Sequence, residues 1–190
     1  ATTTLKNVHD ETILKVTGTG TALITIANLI VRTTKQANTT SGSPIVTLTG
    51  INGNDNIGVI VGGAVTGAGI PATTTVLSIV GRTVTLDKNA TATASNVTLT
   101  FDSQKANSPL VMIEKMYWSG NHANGIIVEK TVGTLICKLY GTDHWNLNEM
   151  SILDTINNQI NVTMAEDDTL ILKLKKYGDW GNANSSYGNQ

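Results

Sequence analysis

Along most of the chain, apolar and polar side chains alternate with a period of two, the spacing of a strand that buries one face. In Thr169-Leu170-Ile171-Leu172-Lys173-Leu174-Lys175 the three leucines share one face, and Lys173 and Lys175 share the other. Gln159 to Met164 repeats the pattern, with Ile160, Val162 and Met164 inward and Asn161 and Thr163 outward. Between these runs lies Ala165-Glu166-Asp167-Asp168, short and polar enough to close a hairpin, so the two strands are expected to pair antiparallel. Further strands are predicted over Thr12 to Thr17, Thr21 to Ala27, Leu110 to Trp118, Gly125 to Lys130 and Leu135 to Tyr140. Thr, Val and Ile dominate these runs because β-branched side chains suit a pleated surface. Only Leu147 to Asn157 offers a helical candidate.

A middle segment, 43–102, has a different character. All three tryptophans and all four tyrosines lie after it, and Phe101 at its edge is its one aromatic residue. Short strands are predicted at Ile45 to Thr49, Ile57 to Val65, Thr74 to Ile79, Arg82 to Asp87 and Asn96 to Phe101, separated by Gly-rich turns. That spacing favours a small barrel or sandwich. Polar stretches at 33–42 and 102–108 read as linkers. The expected fold class is therefore all-β: a discontinuous antiparallel sandwich made of 1–42 plus 103–190, with a small β domain, 43–102, inserted in it. An insertion needs its two ends close together, which a module whose first and last strands pair provides. About 40 residues before the insertion are too few to bury a core alone.

From residue 177 to 190 the periodicity stops, and three large aromatics stand on a Gly, Asn and Ser backbone. This stretch reads as an arm whose Tyr177, Trp180 and Tyr187 anchor on a neighbouring subunit, since aromatic anchors dominate interface energies.

Composition narrows the functional classes. Charged residues make up 14% of the 190 residues, against roughly 25% in an average soluble protein, so Thr, Asn, Ser and Gly must cover the surface. A formal net charge of −1 gives no field that would gather nucleic acid or an anionic membrane. Such weak self-repulsion favours association, and homo-oligomers are expected. A single cysteine, Cys137, excludes an internal disulfide framework and reads as a small core residue. The longest apolar stretches fall short of the roughly 20 residues a membrane-spanning helix needs. The opening Ala1-Thr2-Thr3-Thr4-Leu5 lacks the basic and apolar regions of a secretory signal.

The chain carries no phosphate loop, no nucleophile elbow and no zinc-protease motif. His9, His122 and His144 are far apart, and Asp143-His144 beside Trp145 lacks a third ligand, so loop residues explain it. Glu166-Asp167-Asp168 reads as a solvated hairpin tip, and Asn52 to Asn56 lacks the closing glutamate of a calcium loop. No catalytic, metal-binding or cofactor-binding residues are assigned, and no enzymatic activity is expected.

Two stretches carry a resemblance. Val61-Gly62-Gly63-Ala64-Val65-Thr66-Gly67-Ala68-Gly69-Ile70-Pro71-Ala72-Thr73-Thr74-Thr75-Val76, followed by Arg82 to Thr93, resembles a small β module of tailed-bacteriophage structural proteins. The chain departs from that pattern where Thr73 stands in place of the usual Gly. The opening Ala1 to Lys6 with Glu11 and Val16, the Tyr117-Trp118-Ser119-Gly120 segment, and Leu170 to Lys176 are similar to virion structural proteins of contractile-tailed phages that infect cyanobacteria. The resemblance implies a non-enzymatic virion protein present in many copies, a capsid decoration or cement protein held to the shell by loops and the aromatic arm. Its partners would be the major capsid protein, or neck or tail subunits, and copies of itself. A neck, tail or fibre component is the first alternative. The second is a carbohydrate-binding module using Trp118, Trp145 and Tyr140 on host-surface sugars.

Overall fold

The computed structural model describes residues 1–50, 56–120, 123–130, 133–147, 151–153 and 159–180. The fold is all-β, with 63% strand and 3% helix, and among the described residues every strand pairing is antiparallel. Strands β1 (Thr2–Asn7), β2 (Glu11–Thr17) and β3 (Gly20–Thr25) are followed by a single helical turn, α1 (Ile26–Leu29). Next come β4 (Arg32–Thr39), β5 (Ile45–Leu48), β6 (Ala64–Gly67), β7 (Thr74–Val80), β8 (Thr83–Leu86) and β9 (Ala94–Asp102). The remainder runs through β10 (Ser108–Gly120), β11 (Ile126–Glu129), β12 (Leu135–Leu139), β13 (Gly141–Asn146), β14 (Ser151–Leu153), β15 (Gln159–Met164) and β16 (Thr169–Asp179). Two compact units result: Ala1–Leu29 with Ala106–Trp180, and Ile30–Lys105 between them in sequence.

The second unit is a closed six-strand barrel in the order β4-β5-β8-β7-β6-β9. Its interior is filled by Ala37, Val46, Leu48, Val65, Val76, Val84, Leu86, Leu99 and Phe101, with Val59 from the loop before β6. So narrow a barrel is packed by aliphatic side chains and needs only one aromatic ring. The unit begins at residue 30 and ends at 105, earlier and later than the 43–102 expected from composition. Residues 33–39, read as linker, form strand β4, whose Thr33, Lys35 and Ala37 pair with Phe101, Leu99 and Val97 of β9. Arg32, Thr34, Gln36 and Asn38 form the solvated side of that strand, and the polar Thr33 and Lys35 on its inward side hide Ala37 and Thr39 from a hydrophobicity count. Because β4 and β9 are antiparallel partners from Arg32 and Asp102 onward, the chain enters and leaves the barrel side by side, and the Arg32 Nε to Asp102 Oδ1 pair closes the gap at 2.8 Å. Ile57 to Val65, expected as one strand, is a turn up to Ala64, because Gly58 and Gly62 adopt left-handed φ angles of 82° and 80°.

The Gly-rich stretch has a packing explanation. A Cβ on Gly67 would collide with the Leu99 side chain and the Thr98 carbonyl, so β6 and β9 approach only through that glycine. Thr73 sits at φ 58°, the left-handed region in which a β-branched residue is strained. Lys88 Nζ bonds the Thr73 hydroxyl at 2.5 Å and the Ala72 carbonyl at 2.7 Å, holding the turn against that strain.

The first unit contains two sheets. The larger runs β1-β2-β16-β10-β13, with β14 also on β10, and the smaller runs β12-β11-β15-β3. Each buries one face: Leu14, Val16, Val111, Ile113, Met116, Leu170, Leu172 and Leu174 in the larger, and Ile24, Ile126, Val128, Ile160, Val162 and Met164 in the smaller. The expected hairpin between β15 and β16 is not formed, since β15 lies between β11 and β3 while β16 lies between β2 and β10. The connecting segment is a corner from one sheet to the other. The buried Asp168 carboxylate accepts from Ala165 N at 2.9 Å, tying that corner where a hairpin tip would be solvated. Asn161, expected on a polar face, is only 3% exposed, and its Nδ2 has no partner among the described residues. In β10 the apolar alternation skips from Ile113 to Met116, and a bulge at Glu114 absorbs the extra residue so that both stay inward. The helix expected over Leu147 to Asn157 is contradicted at Ser151–Leu153, which is strand β14 on β10; its flanks lie outside the described residues.

Thr73→Gly is expected to raise the stability of the chain by about 1 kcal/mol by relieving the left-handed strain. A urea denaturation midpoint unchanged or lowered by this substitution would contradict the strain at this turn.

Candidate functional site

The solvent face of the larger sheet is built from three cross-strand rows set by the register. His144, Tyr117, Ile171, Lys15 and Thr3 stand side by side on β13, β10, β16, β2 and β1. Beside them runs a hydroxyl row, Thr142, Ser119, Thr169 and Thr17, in which the Ser119 and Thr142 oxygens are 3.0 Å apart. On the other flank lie Asn146, Lys115, Lys173, Ile13 and Lys6. The Tyr117 ring is 44% exposed and stacks on His144 at 5.9 Å between centroids with an interplanar angle of 16°. Toward the end of the sheet Leu110 faces Tyr177 across the strands, both partly exposed, and Lys175 Nζ lies 5.0 Å over the Tyr177 ring. The face thus offers aromatic and hydroxyl surface with few charges at its β13 side.

Its charges are collected on β1, β2, β10 and β16. Glu11 bonds Lys173 and Lys6 at 2.8 Å each, and Lys173 reaches Glu114 at 2.9 Å. The β10 bulge gives Glu114 its place in this cluster. Hydrogen bonds from Lys173 and then Lys6 hold the Glu11 carboxyl below its ordinary pKa, and the two carboxylates hold the Lys173 ammonium above its own.

A second polar group lies on the buried face. Period two puts Lys176 in line with Leu170, Leu172 and Leu174, and it is 6% exposed. Its Nζ donates to Asn7 Oδ1 and the Val8 carbonyl at 2.8 Å each and to the Leu29 carbonyl at 2.5 Å, which uses all three ammonium hydrogens. Burial pushes its pKa down to about 8, while the Asp10 carboxylate acts in the opposite direction. The Trp180 ring covers the ammonium at 5.1 Å.

This placement corrects the expected arm. Trp180 is 3% exposed, and its Nε1 donates to the Tyr177 carbonyl at 2.7 Å and to the Leu110 carbonyl at 3.3 Å, so the indole completes its own unit. Tyr177 belongs to β16 and offers its ring on the sheet face. Tyr187 lies outside the described residues. The lysine that organises this end was legible, because residue 176 has the same parity as the three leucines, but its charge masked its inward position.

No protein family, characterised protein or solved structure matches the chain. Chemistry other than docking finds little here. Among the described residues no three His, Cys, Asp or Glu side chains are grouped to hold a metal ion. Asp143 and His144 are exposed at the β13 edge, with Nδ1 3.5 Å from the carboxylate, and His122 lies outside the described residues. Cys137 is half-buried, and burial raises its thiol to about 11, which keeps it protonated and a poor nucleophile. No helix among the described residues is long and apolar enough to cross a membrane.

Lys176→Met, which leaves two carbonyls without their donor, is expected to cost about 3 kcal/mol, whereas Lys173→Met at the solvated cluster costs under about 1 kcal/mol. Equal losses in urea denaturation would contradict the distinction. On the acid side, the lowered folded pKa of Glu11 contributes stability that is fully present above the ordinary glutamate value of about 4.3 and is lost as pH falls from there through the lower folded value. Glu11→Gln should flatten that part of the stability profile, and an unaltered slope would contradict the assignment.

Proposed function

We propose that the chain is a non-enzymatic structural protein of a bacteriophage virion, a capsid decoration or cement protein. It docks on the shell through the solvent face of its larger sheet. One observation carries the reading: a half-exposed aromatic, Tyr117, stands beside a row of hydroxyls, Thr142, Ser119, Thr169 and Thr17, on the solvent face of the larger sheet. Aromatic residues are enriched and charged ones depleted at interface centres, and hydroxyls cost less to desolvate than ammonium or carboxylate groups. The chain's low charge and the resemblance of its segments to virion proteins support the same reading. With Trp180 inside the fold, the holding surface is the sheet face, joined by Tyr177 and by whatever 181–190 contribute. Neck, tail and fibre positions use the same chemistry and are distinguished by location in the particle.

A second reading has its own observation. Trp145 and Tyr140 are 46% and 56% exposed near the β13 edge, and Trp118, on the same side of the sheet as Trp145, donates from Nε1 to the Tyr140 carbonyl. Exposed aromatic faces stack on sugar rings, so this edge suits a glycan on a host surface.

Tyr117→Asp is expected to lower occupancy on capsids stripped of this protein by about tenfold or more, while the fold is kept because the side chain is on the solvent face. Deletion of 181–190 measures the contribution of the tail separately. Unchanged occupancy for both variants, or no binding to shells together with a glycan-array signal lost in Trp145→Ala, would replace the docking reading with the second.

A further inference from the structure

The polar group closing the core of the first unit is arranged for a reaction as well as for a clamp. A lysine amine and an asparagine carboxamide are in hydrogen-bond contact there, Nζ 2.8 Å from Oδ1, on the last and first strands of the unit. We propose that Lys176 and Asn7 are a modification site at which an intramolecular isopeptide bond forms, joining Lys176 Nζ to Asn7 Cγ.

Four features of the site act on that step. Proximity comes from the fold: β1 and β16 both pair with β2, and β2 holds the two side chains at the same end of the sheet. The carbonyl is polarised by a second donor, since the buried Thr12 hydroxyl also bonds Asn7 Oδ1 at 2.8 Å and is placed to take the negative charge that develops on that oxygen. The amine is buried, which disfavours its charged form, and a pKa of about 8 leaves a neutral, nucleophilic fraction near neutral pH. Trp180, fixed by its own hydrogen bonds, lies over Nζ and excludes water that would compete for both groups.

The step balances without an added reagent. The Nζ lone pair attacks Cγ, forming the C–N bond as the carbonyl pair moves onto Oδ1. A proton passes from Nζ to Nδ2 within the addition intermediate. Collapse of the oxyanion then breaks the Cγ–Nδ2 bond and expels ammonia. Counted from the lysine ammonium, the products are a secondary amide and one ammonium ion, with no oxidant, cofactor or external acid consumed.

A clamp alone requires three acceptors of any kind, and two of those present are backbone carbonyls. It does not require the third to be a carboxamide that a buried hydroxyl already polarises. The two roles separate by mass. The full chain, purified and denatured, is measured intact when fresh and after incubation at mildly alkaline pH, then digested with trypsin. Most of the protein is expected to weigh one ammonia less than the linear chain, and the peptide containing Asn7 is expected to be joined to the one containing Lys176. Lys176→Arg keeps a cation without a nucleophilic amine and should show the full linear mass, and Asn7→Asp should lose water in place of ammonia. The wild-type mass decides the matter even where a variant fails to fold. A linear mass at every time point, or an ammonia loss that maps to a succinimide within a single peptide, would overturn the proposal.

Discussion

The leucine face of β16 continues by one more inward position, and that position is a lysine. A strand cannot change which side its even-numbered residues take without a bulge, so Lys176 is carried into the core by the same alternation that buries Leu170, Leu172 and Leu174. An ammonium in that place is stable only if every hydrogen finds an acceptor. The acceptors come from three separate parts of the chain: the end of β1, the loop after it and the last residue of α1. The path of the chain at both edges of the first unit is therefore set by the needs of one side chain. Trp180 follows as a consequence. Its indole closes the remaining side, and its own N–H is satisfied by strand carbonyls, which holds the residue that the sequence pattern offers as an external anchor inside the fold.

The barrel solves a different problem. It interrupts the sequence of the first unit after α1, so its own ends must meet, and the pairing of its first strand with its last meets that demand directly. Closure also removes the sheet edges that would otherwise offer unpaired N–H and C=O groups to neighbours. Gly67 permits the tight approach of β6 to β9, and Lys88 steadies the turn in which Thr73 is strained. A small aliphatic core inside a closed ladder thus replaces the aromatic residues that the first unit keeps for itself.

Much of this was legible from period two alone. The all-β class and most strands of both units follow from the spacing of Val, Ile, Leu and Thr, because a half-buried strand has only one way to write its pattern. What the period cannot convey is pairing. Gln159 to Met164 and Thr169 to Lys175 look like a hairpin, yet a buried Asp168 turns the chain from one sheet to the other. Strand β13, Gly141 to Asn146, has no apolar alternation to read, since it lies at an edge and only Gly141 is partly buried. Strand β4 reads as linker because an outward face of Arg32, Thr34, Gln36 and Asn38 resembles a solvated loop. At the candidate site, Tyr117 is visible as an aromatic, but only the register shows it on the solvent side beside His144. Lys176 was hidden by the ordinary rule that lysines face water.

The edges of the larger sheet bear on how such a unit can meet a partner. β1 has a bulge at Leu5 and carries Lys6, and β13 carries Asp143 and His144, devices that blunt strand-to-strand addition. Its solvent face has fewer such defences at the β13 side, where threonine and serine hydroxyls stand beside an aromatic ring. Short hydroxyl side chains lose little conformational freedom when covered, and their hydrogen bonds pass readily from water to a partner's backbone. Contact made through the face rather than the edge also leaves the hydrogen-bond ladder of the sheet intact, so many identical copies can be held on a lattice without the open-ended strand pairing that leads to aggregation. The proposed docking mode is the one the sheet's own chemistry leaves open.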